Sequence, residues 1–258
     1  MTKRLQLLFD EIENCEVFAD VGCDHGYIAE AVLKSGKSEK VIISDISEKS
    51  LQKAKNLLCE KYADRVKAVV ADGFNGIDDK IDEALIAGMG GEEIAGILTR
   101  AKNLPKRLIL SPQHNSDKVR IALLNLGYYI KKDTSFLDGK LYYLIVAEKI
   151  KGWSNEGYRG RSNEVFKEQL SANSDGQFAN REGQFAEIFT GQKQVYTEDE
   201  ICFGKDNINT KNADFAAYVL SEIDKLNAII TANAADIPDS LKQKIERLRR
   251  IYGYISNL

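Results

Sequence analysis

Long hydrophobic runs are missing from this chain of 258 residues, and with them any segment able to cross a bilayer as a helix. The first residues, Met1-Thr2-Lys3-Arg4, lack the apolar stretch of a secretory leader, so a cytoplasmic protein is expected. Cysteine is sparse: Cys15, Cys23, Cys59 and Cys202 stand apart with no Cys-x-x-Cys pair. That argues against a structural zinc site or a disulfide framework, and for reduced thiols. An excess of charge of one sign is lacking too. The 36 Lys and Arg against 39 Asp and Glu leave a net −3, which speaks against a broad nucleic-acid footprint but leaves room for a local basic patch. What is present, 43% hydrophobic and 29% charged residues, is the make-up of an ordinary soluble protein with a full core.

Residues 17–23, 40–46, 66–72, 83–88 and 107–111 are short apolar or β-branched runs, separated by stretches of helical period such as Leu51, Ala54, Leu57 and Leu58 after the capping residue Ser47. This alternation predicts a parallel sheet with helices on both faces. Tyr128–Phe136 and Leu141–Glu148 then flank Leu137-Asp138-Gly139-Lys140 and read as a β-hairpin. Residues 151–200 are rich in Asn, Ser, Gly and Gln and read as a polar linker or insertion with one short helix at 163–170. Beyond them Phe215, Val219, Ile223, Leu226 and Ile230 recur at helical spacing, as do Leu241, Ile245, Leu248, Tyr252 and Ile255 after the break Asp236-Ile237-Pro238. Two such stripes predict a helical hairpin of coiled-coil type. Lys242, Lys244, Arg247, Arg249 and Arg250 make its second helix basic, which serves equally as a solvated face or as a phosphate contact.

The chemistry concentrates in Asp20-Val21-Gly22-Cys23-Asp24-His25-Gly26-Tyr27, between the first apolar run and the first helix. Asp45 closes the next run. Strand, glycine turn, helix, strand and acidic residue is the arrangement by which an α/β sheet holds an adenosine cofactor, the acidic side chain accepting from the ribose hydroxyls. Asp24 occupies the place of the middle glycine of a dinucleotide turn. A pyrophosphate would be repelled there, whereas the ammonium and sulfonium of S-adenosylmethionine would be attracted by Asp20 and Asp24. Asp72 precedes Gly73 at the third strand end and reads either as an adenine partner or as a turn former. Ile86-Ala87-Gly88-Met89-Gly90-Gly91-Glu92 ends the fourth strand; a plain tight turn accounts for one of its glycines better than for three. After the fifth strand, Ser111-Pro112-Gln113-His114-Asn115 brings polar groups to the same edge, where Gln113 or Asn115 would meet a base edge or cap the next helix.

Taken together, Asp20-Val21-Gly22-x-Asp24-His25-Gly26-Tyr27, Ala71-Asp72-Gly73 and Ile86-Ala87-Gly88-Met89-Gly90-Gly91 resemble the bacterial tRNA (adenine-22-N1)-methyltransferase family. The likeness covers about the first 148 residues and resumes at Ile201-Cys202-Phe203-Gly204 and the helical tail. It implies a Rossmann-like class I methyltransferase sheet of seven strands, the last two a hairpin, with a C-terminal coiled-coil hairpin. Residues 1–150 would bind S-adenosylmethionine, 151–200 would be the linker and 201–258 the helical hairpin, whose basic cluster would meet the D-arm of tRNA. Cofactor contacts would come from Asp20, Gly22, Cys23, Asp24, His25 and Gly26 in the first turn. Asp45 and Ile46, then Asp72 and Gly73, then Gly88 and Met89 would supply the rest. Asp24, Met89 and Gln113 are the catalytic candidates. Three departures stand out: Ser111-Pro112-Gln113 replaces the family's Gln-Pro-Asn, Phe203-Gly204-Lys205 replaces Phe-Gly-Pro, and the polar segment is long. The first bears on the acceptor side, so a small-molecule or protein methyltransferase, or an inactive cofactor-binding module, stays open, with a dehydrogenase third.

Overall fold

The apolar runs pair into one sheet. In the computed structural model, which describes residues 1–151, 196–232 and 237–256, the strands are β1 (Cys15–Val21), β2 (Ser38–Asp45), β3 (Val66–Val70), β4 (Glu83–Ala87), β5 (Arg107–Ser111), β6 (Tyr128–Asp138) and β7 (Lys140–Lys149). The chain divides into two compact units, Met1–Lys151 and Gly152–Leu258. The first holds a seven-stranded sheet in the order β3-β2-β1-β4-β5-β7-β6. β1 to β5 pair in parallel, and β7 runs antiparallel to both β5 and β6. Gly139 alone turns the hairpin between them.

Strand residues alternate between two covered faces. Phe18, Ile43, Leu85, Ile109 and Val146 pack on one face with Leu8 of α1 (Lys3–Asp10), Ile28 and Val32 of α2 (Tyr27–Ser35), and Leu51 and Leu58 of α3 (Glu48–Leu58). Their neighbours Ala19, Ile42, Ile86 and Leu108 are buried as well, together with Ile94 and Leu98 of α4 (Gly91–Arg100) and Val119 and Leu123 of α5 (Ser116–Asn125). The helix α1 is absent from the sequence reading. It is one short amphipathic segment, started by Thr2, whose hydroxyl accepts from Leu5 N–H at 3.3 Å, and anchored by the fully buried Leu8. Burying one such leucine contributes about 1.5–3 kcal/mol.

Strand order fixes where a ligand can enter. The chain runs outward from β1 to β3 and then crosses to β4 on the other flank of β1. At such a reversal the loops leaving the two strands diverge and open a crevice at their carboxyl ends. The loops at Gly22 and Gly88 leave those two strands.

The second unit carries α6 (Glu198–Phe203), α7 (Lys205–Asn209), α8 (Ala213–Ala232) and α9 (Asp239–Ser256). Thr197 and Glu200 form a reciprocal capping box on α6. Phe215, Val219, Ile223 and Leu226 of α8 are buried, and so are Ile245, Leu248, Ile251 and Ile255 of α9. Ile251, three residues after Leu248 and four before Ile255, takes the seam place expected of Tyr252, which is half-buried with Leu241 and Ile230. Pro238 lies just before α9, its carbonyl accepting from Leu241 and Lys242. Residues 152–195, which include the helix expected at 163–170, lie outside the described residues, as does Asp236.

Candidate functional site

The first turn is tied to the second strand. Gly22 adopts φ +78°, a left-handed conformation open to glycine. Its N–H and that of Cys23 both donate to the Ser44 carbonyl, at 2.8 and 2.9 Å. Asp20 lies beneath this turn. Burial pushes its carboxyl up from 3.8 to about 6, opposed by hydrogen bonds from the Cys23 thiol and the Ala29 amide. Cys23 is itself buried and its thiol is pushed far up, which makes it an unreactive donor. Asp45 closes β2 and accepts from the Ser47 amide at 2.7 Å. Beside it Ile46 is 73% exposed. A carboxylate at a strand tip next to an uncovered apolar side chain fits the ribose and the base of an adenosine.

Asp24 is placed differently from the sequence expectation. Its Oδ1 is 2.8 Å from Lys53 Nζ and its Oδ2 is 3.0 Å from His25 Nδ1. The hydrogen bond from Lys53 holds the Asp24 carboxyl below its ordinary range. His25 also stacks on Tyr27, ring centroids 5.4 Å apart. Of the two carboxylates expected to face the cationic cofactor, Asp24 is already matched by a lysine from α3. Asp20 and Asp45, whose recorded partners are neutral, carry the charge argument better. Asp72 is likewise engaged, 3.0 Å from Arg100 Nη2, and its carbonyl accepts from Asn75 N–H at 3.1 Å. Gly73 is pressed on Ile97, so the turn-forming reading of this pair has structural support.

The loop after β4 interlocks with the loop after β5. Gln113 N–H donates to Met89 O at 2.9 Å and Gly91 N–H to His114 O at 2.8 Å. A Cβ on Gly91 would stand 1.8 Å from the Asn115 carbonyl oxygen, and one on Gly90 2.7 Å from the His114 ring. The neighbouring loop thus accounts for the paired glycines, in keeping with the expectation that a tight turn alone does not. Gln113 is fixed at both ends: Nε2 donates to Gly88 O at 2.5 Å and Oε1 accepts from Lys140 Nζ at 3.2 Å. Asn115 takes the N-cap place of α5 with φ 52° but makes no capping bond; its Nδ2 donates to Glu92 at 3.3 Å. The two glycine motifs meet here, since a Cβ on Gly22 would lie 2.0 Å from Met89 Cε.

A family profile described as a methyltransferase domain matches residues 1–146. The chain belongs to this methyltransferase family. A candidate tRNA methyltransferase of Mycoplasma genitalium is 31% identical over 159 residues, 58% of this chain and 71% of that relative. The tRNA (adenine(22)-N(1))-methyltransferase of Bacillus subtilis is 32% identical over 155 residues, 57% of this chain and 65% of that relative. Among solved structures, M. capricolum TrmK in complex with S-adenosyl-homocysteine aligns over 99% of both chains with TM-score 0.73 and 21% identity, a likeness of fold.

Several groups around the crevice of this methyltransferase are invisible to sequence reasoning. Lys53 meets Asp24, Arg100 meets Asp72, Lys140 meets Gln113 and Arg4 borders Gly88, each from another part of the chain. The Arg4 guanidinium stacks on the Tyr142 ring and borders Gly88. Conversely, the expected basic cluster of α9 is largely matched within its own unit. Arg247 pairs with Glu198 and Asp199 at 2.9 and 2.8 Å, Arg250 with Asp199 at 2.8 Å, and Lys242 with Asp239 at 3.0 Å. Arg249 donates to Asn227 at 2.7 Å. Arg247, partly buried and lying over the Phe203 ring, ties α6 to α9.

Proposed function

We propose that this methyltransferase moves the methyl group of S-adenosylmethionine to N1 of adenosine 22 in the D-arm of tRNA. The observation that carries methyl transfer is the meeting of Gly22 and Met89 at the β1–β4 crevice, which joins a cofactor turn to an acceptor loop. The choice of base is supported by the motif set and by the Bacillus subtilis relative.

In this reading Asp45 holds the ribose hydroxyls, Ile46 lies on the adenine face, and Asp20 attracts the ammonium. S-Adenosylmethionine supplies, when bound, an electrophilic methyl on a cationic sulfur. Met89, whose flexible thioether covers Gly22, can yield to a ligand without moving backbone. The in-plane lone pair of adenine N1 is nucleophilic once the base is out of its pair, which costs a few kcal/mol. Gln113 retains a second lone pair on Oε1 and accepts from the adenine amino group, which orients N1 toward the crevice. No base is needed before transfer, and positioning supplies much of the acceleration. Asp24, held by Lys53 and His25, orders the turn. Residues 1–150 carry this chemistry and the helices of 201–258 enlarge the RNA surface.

Incubation with labelled S-adenosylmethionine and unmodified tRNAs, followed by mapping of the modified nucleotide, tests the reading. Label on N1 of adenosine 22 is expected. Methyl on another base, or on small molecules alone, would overturn it.

A further inference from the structure

Two cations share one aromatic ring at the acceptor edge. Arg4 Cζ lies 4.8 Å and Lys140 Nζ 5.2 Å from the centroid of Tyr142. They come from opposite ends of the sheet domain's sequence, and the charged head of each lies on that neutral ring. Lys140 donates to Gln113 Oε1. The carboxylate of Asp138 is engaged by the backbone N–H of Arg4 at 3.1 Å. Among the described residues Arg4 Nε is buried and has no hydrogen-bond partner, and Arg4 Nη2 would lie 3.7 Å from a Cβ on Gly88. The aromatic face attracts each only weakly, so an anion is the stronger partner for both cations. The guanidinium offers a planar fork and the ammonium a point charge, the pair of donors suited to a phosphate.

We propose that Arg4 and Lys140 form a clamp on the RNA phosphate next to the target adenosine, an inference that rests on the RNA-methylating reading above. The clamp places the backbone while Gln113, held by Lys140, faces the base. It assigns α1 a part in substrate binding and makes Tyr142 the ring on which both cations rest.

The test uses the full chain with Arg4→Gln, Lys140→Gln and the double variant. Steady-state kinetics with unmodified tRNA at several salt concentrations are paired with calorimetric S-adenosylmethionine binding and with tRNA binding in the absence of cofactor. Each single change should raise the tRNA KM and dissociation constant roughly 5- to 20-fold and reduce the salt slope of log affinity by about one. Cofactor affinity should stay within about twofold of the parent. Lys140 is exposed, so its variant carries the prediction independently of any effect on α1 packing. Unchanged tRNA affinity and salt slope in the double variant would overturn the clamp, and so would a loss confined to cofactor affinity. Should the parent protein bind tRNA through these residues without methylating it, the functional reading fails and the clamp stands. Should it methylate tRNA with both residues dispensable, the clamp alone fails.

Discussion

The half of the strand edge proposed for the cofactor, at β1 to β3, and the half proposed for the acceptor, at β4, β5 and β7, are assembled by different means. The first rests on two adjacent strand ends: Gly22 and Cys23 hang from Ser44 of the neighbouring strand, and Asp45 accepts from an amide two residues on. The second is an interlock of segments around residues 4, 88–91, 113–115 and 140, joined by Gln113, Lys140 and backbone contacts without room for a Cβ. A cofactor that is the same for many reactions needs only a standard turn. An acceptor site, which must differ from enzyme to enzyme, is stored in tertiary packing, where a single change propagates across loops.

The largest effect should come from Gly91→Ala. Its backbone φ is unexceptional, yet the new Cβ meets a carbonyl oxygen of the facing loop at 1.8 Å. Backbone cannot rotate away, so the two loops must separate. Overpacking of this kind costs about 1–3 kcal/mol, and a displacement near 1 Å at reacting groups costs about a hundredfold in rate. Transfer measured with tRNA should therefore fall at least about a hundredfold, while calorimetric S-adenosylmethionine affinity changes less than about tenfold. Equal losses in both would show that the halves are not separable. Asp45→Ala is the converse. Losing charge-assisted hydrogen bonds of about 1.5–3 kcal/mol should weaken cofactor binding about 10- to 100-fold with kcat retained at saturation. A fall in kcat at saturating cofactor would place Asp45 in the acceptor chemistry instead.

The same contrast explains what was legible in the sequence. Strand positions, the hairpin at 128–149 and the turn carrying Gly22 follow from local patterns of period and glycine, and the structure places them within a few residues. The partner of Asp24 did not follow, because Lys53 lies on the next helix and only the fold brings it near. Arg4 was hidden for a related reason: α1 is too short for its period to stand out, and its value comes from Tyr142 and Gly88. The partners of the α9 basic cluster were hidden as well, since counting Lys and Arg along a helix does not reveal Glu198 and Asp199 set against Arg247 and Arg250.

A gentler probe of the cofactor half is pH. Burial raises the Asp20 carboxyl to about 6, so the fold favours its protonated form. That contribution is fully present below 3.8 and is lost as pH rises through about 6. A cationic ligand has the opposite preference, because only the carboxylate attracts it. Affinity for S-adenosylmethionine should then fall by up to about tenfold per pH unit below about 6, read by calorimetry between about pH 5 and 7. Asp20→Asn should bind weakly throughout and flatten the profile. If the Asn variant keeps the parent slope, another group titrates and Asp20 loses its place as the charge that defines this half.

The smallest effect sharpens the comparison most, because it separates charge from geometry within one turn. Lys53→Ala removes the partner of Asp24 from an exposed ion pair, and such pairs contribute little to stability, so Tm should not move measurably. What changes is the field at the turn. S-Adenosylmethionine is cationic at sulfur, whereas S-adenosyl-homocysteine is neutral there and otherwise nearly the same shape. If the Asp24 carboxylate faces the cofactor, its release should tighten the first by up to about threefold, the modest size expected for a solvent-screened charge, and leave the second unchanged. Equal weakening of both would mean that Lys53 only orders the turn, with Asp24 as its anchor. No change in either would put Asp24 outside the reach of the sulfur and leave Asp20 and Asp45 as the acidic groups that select the cofactor.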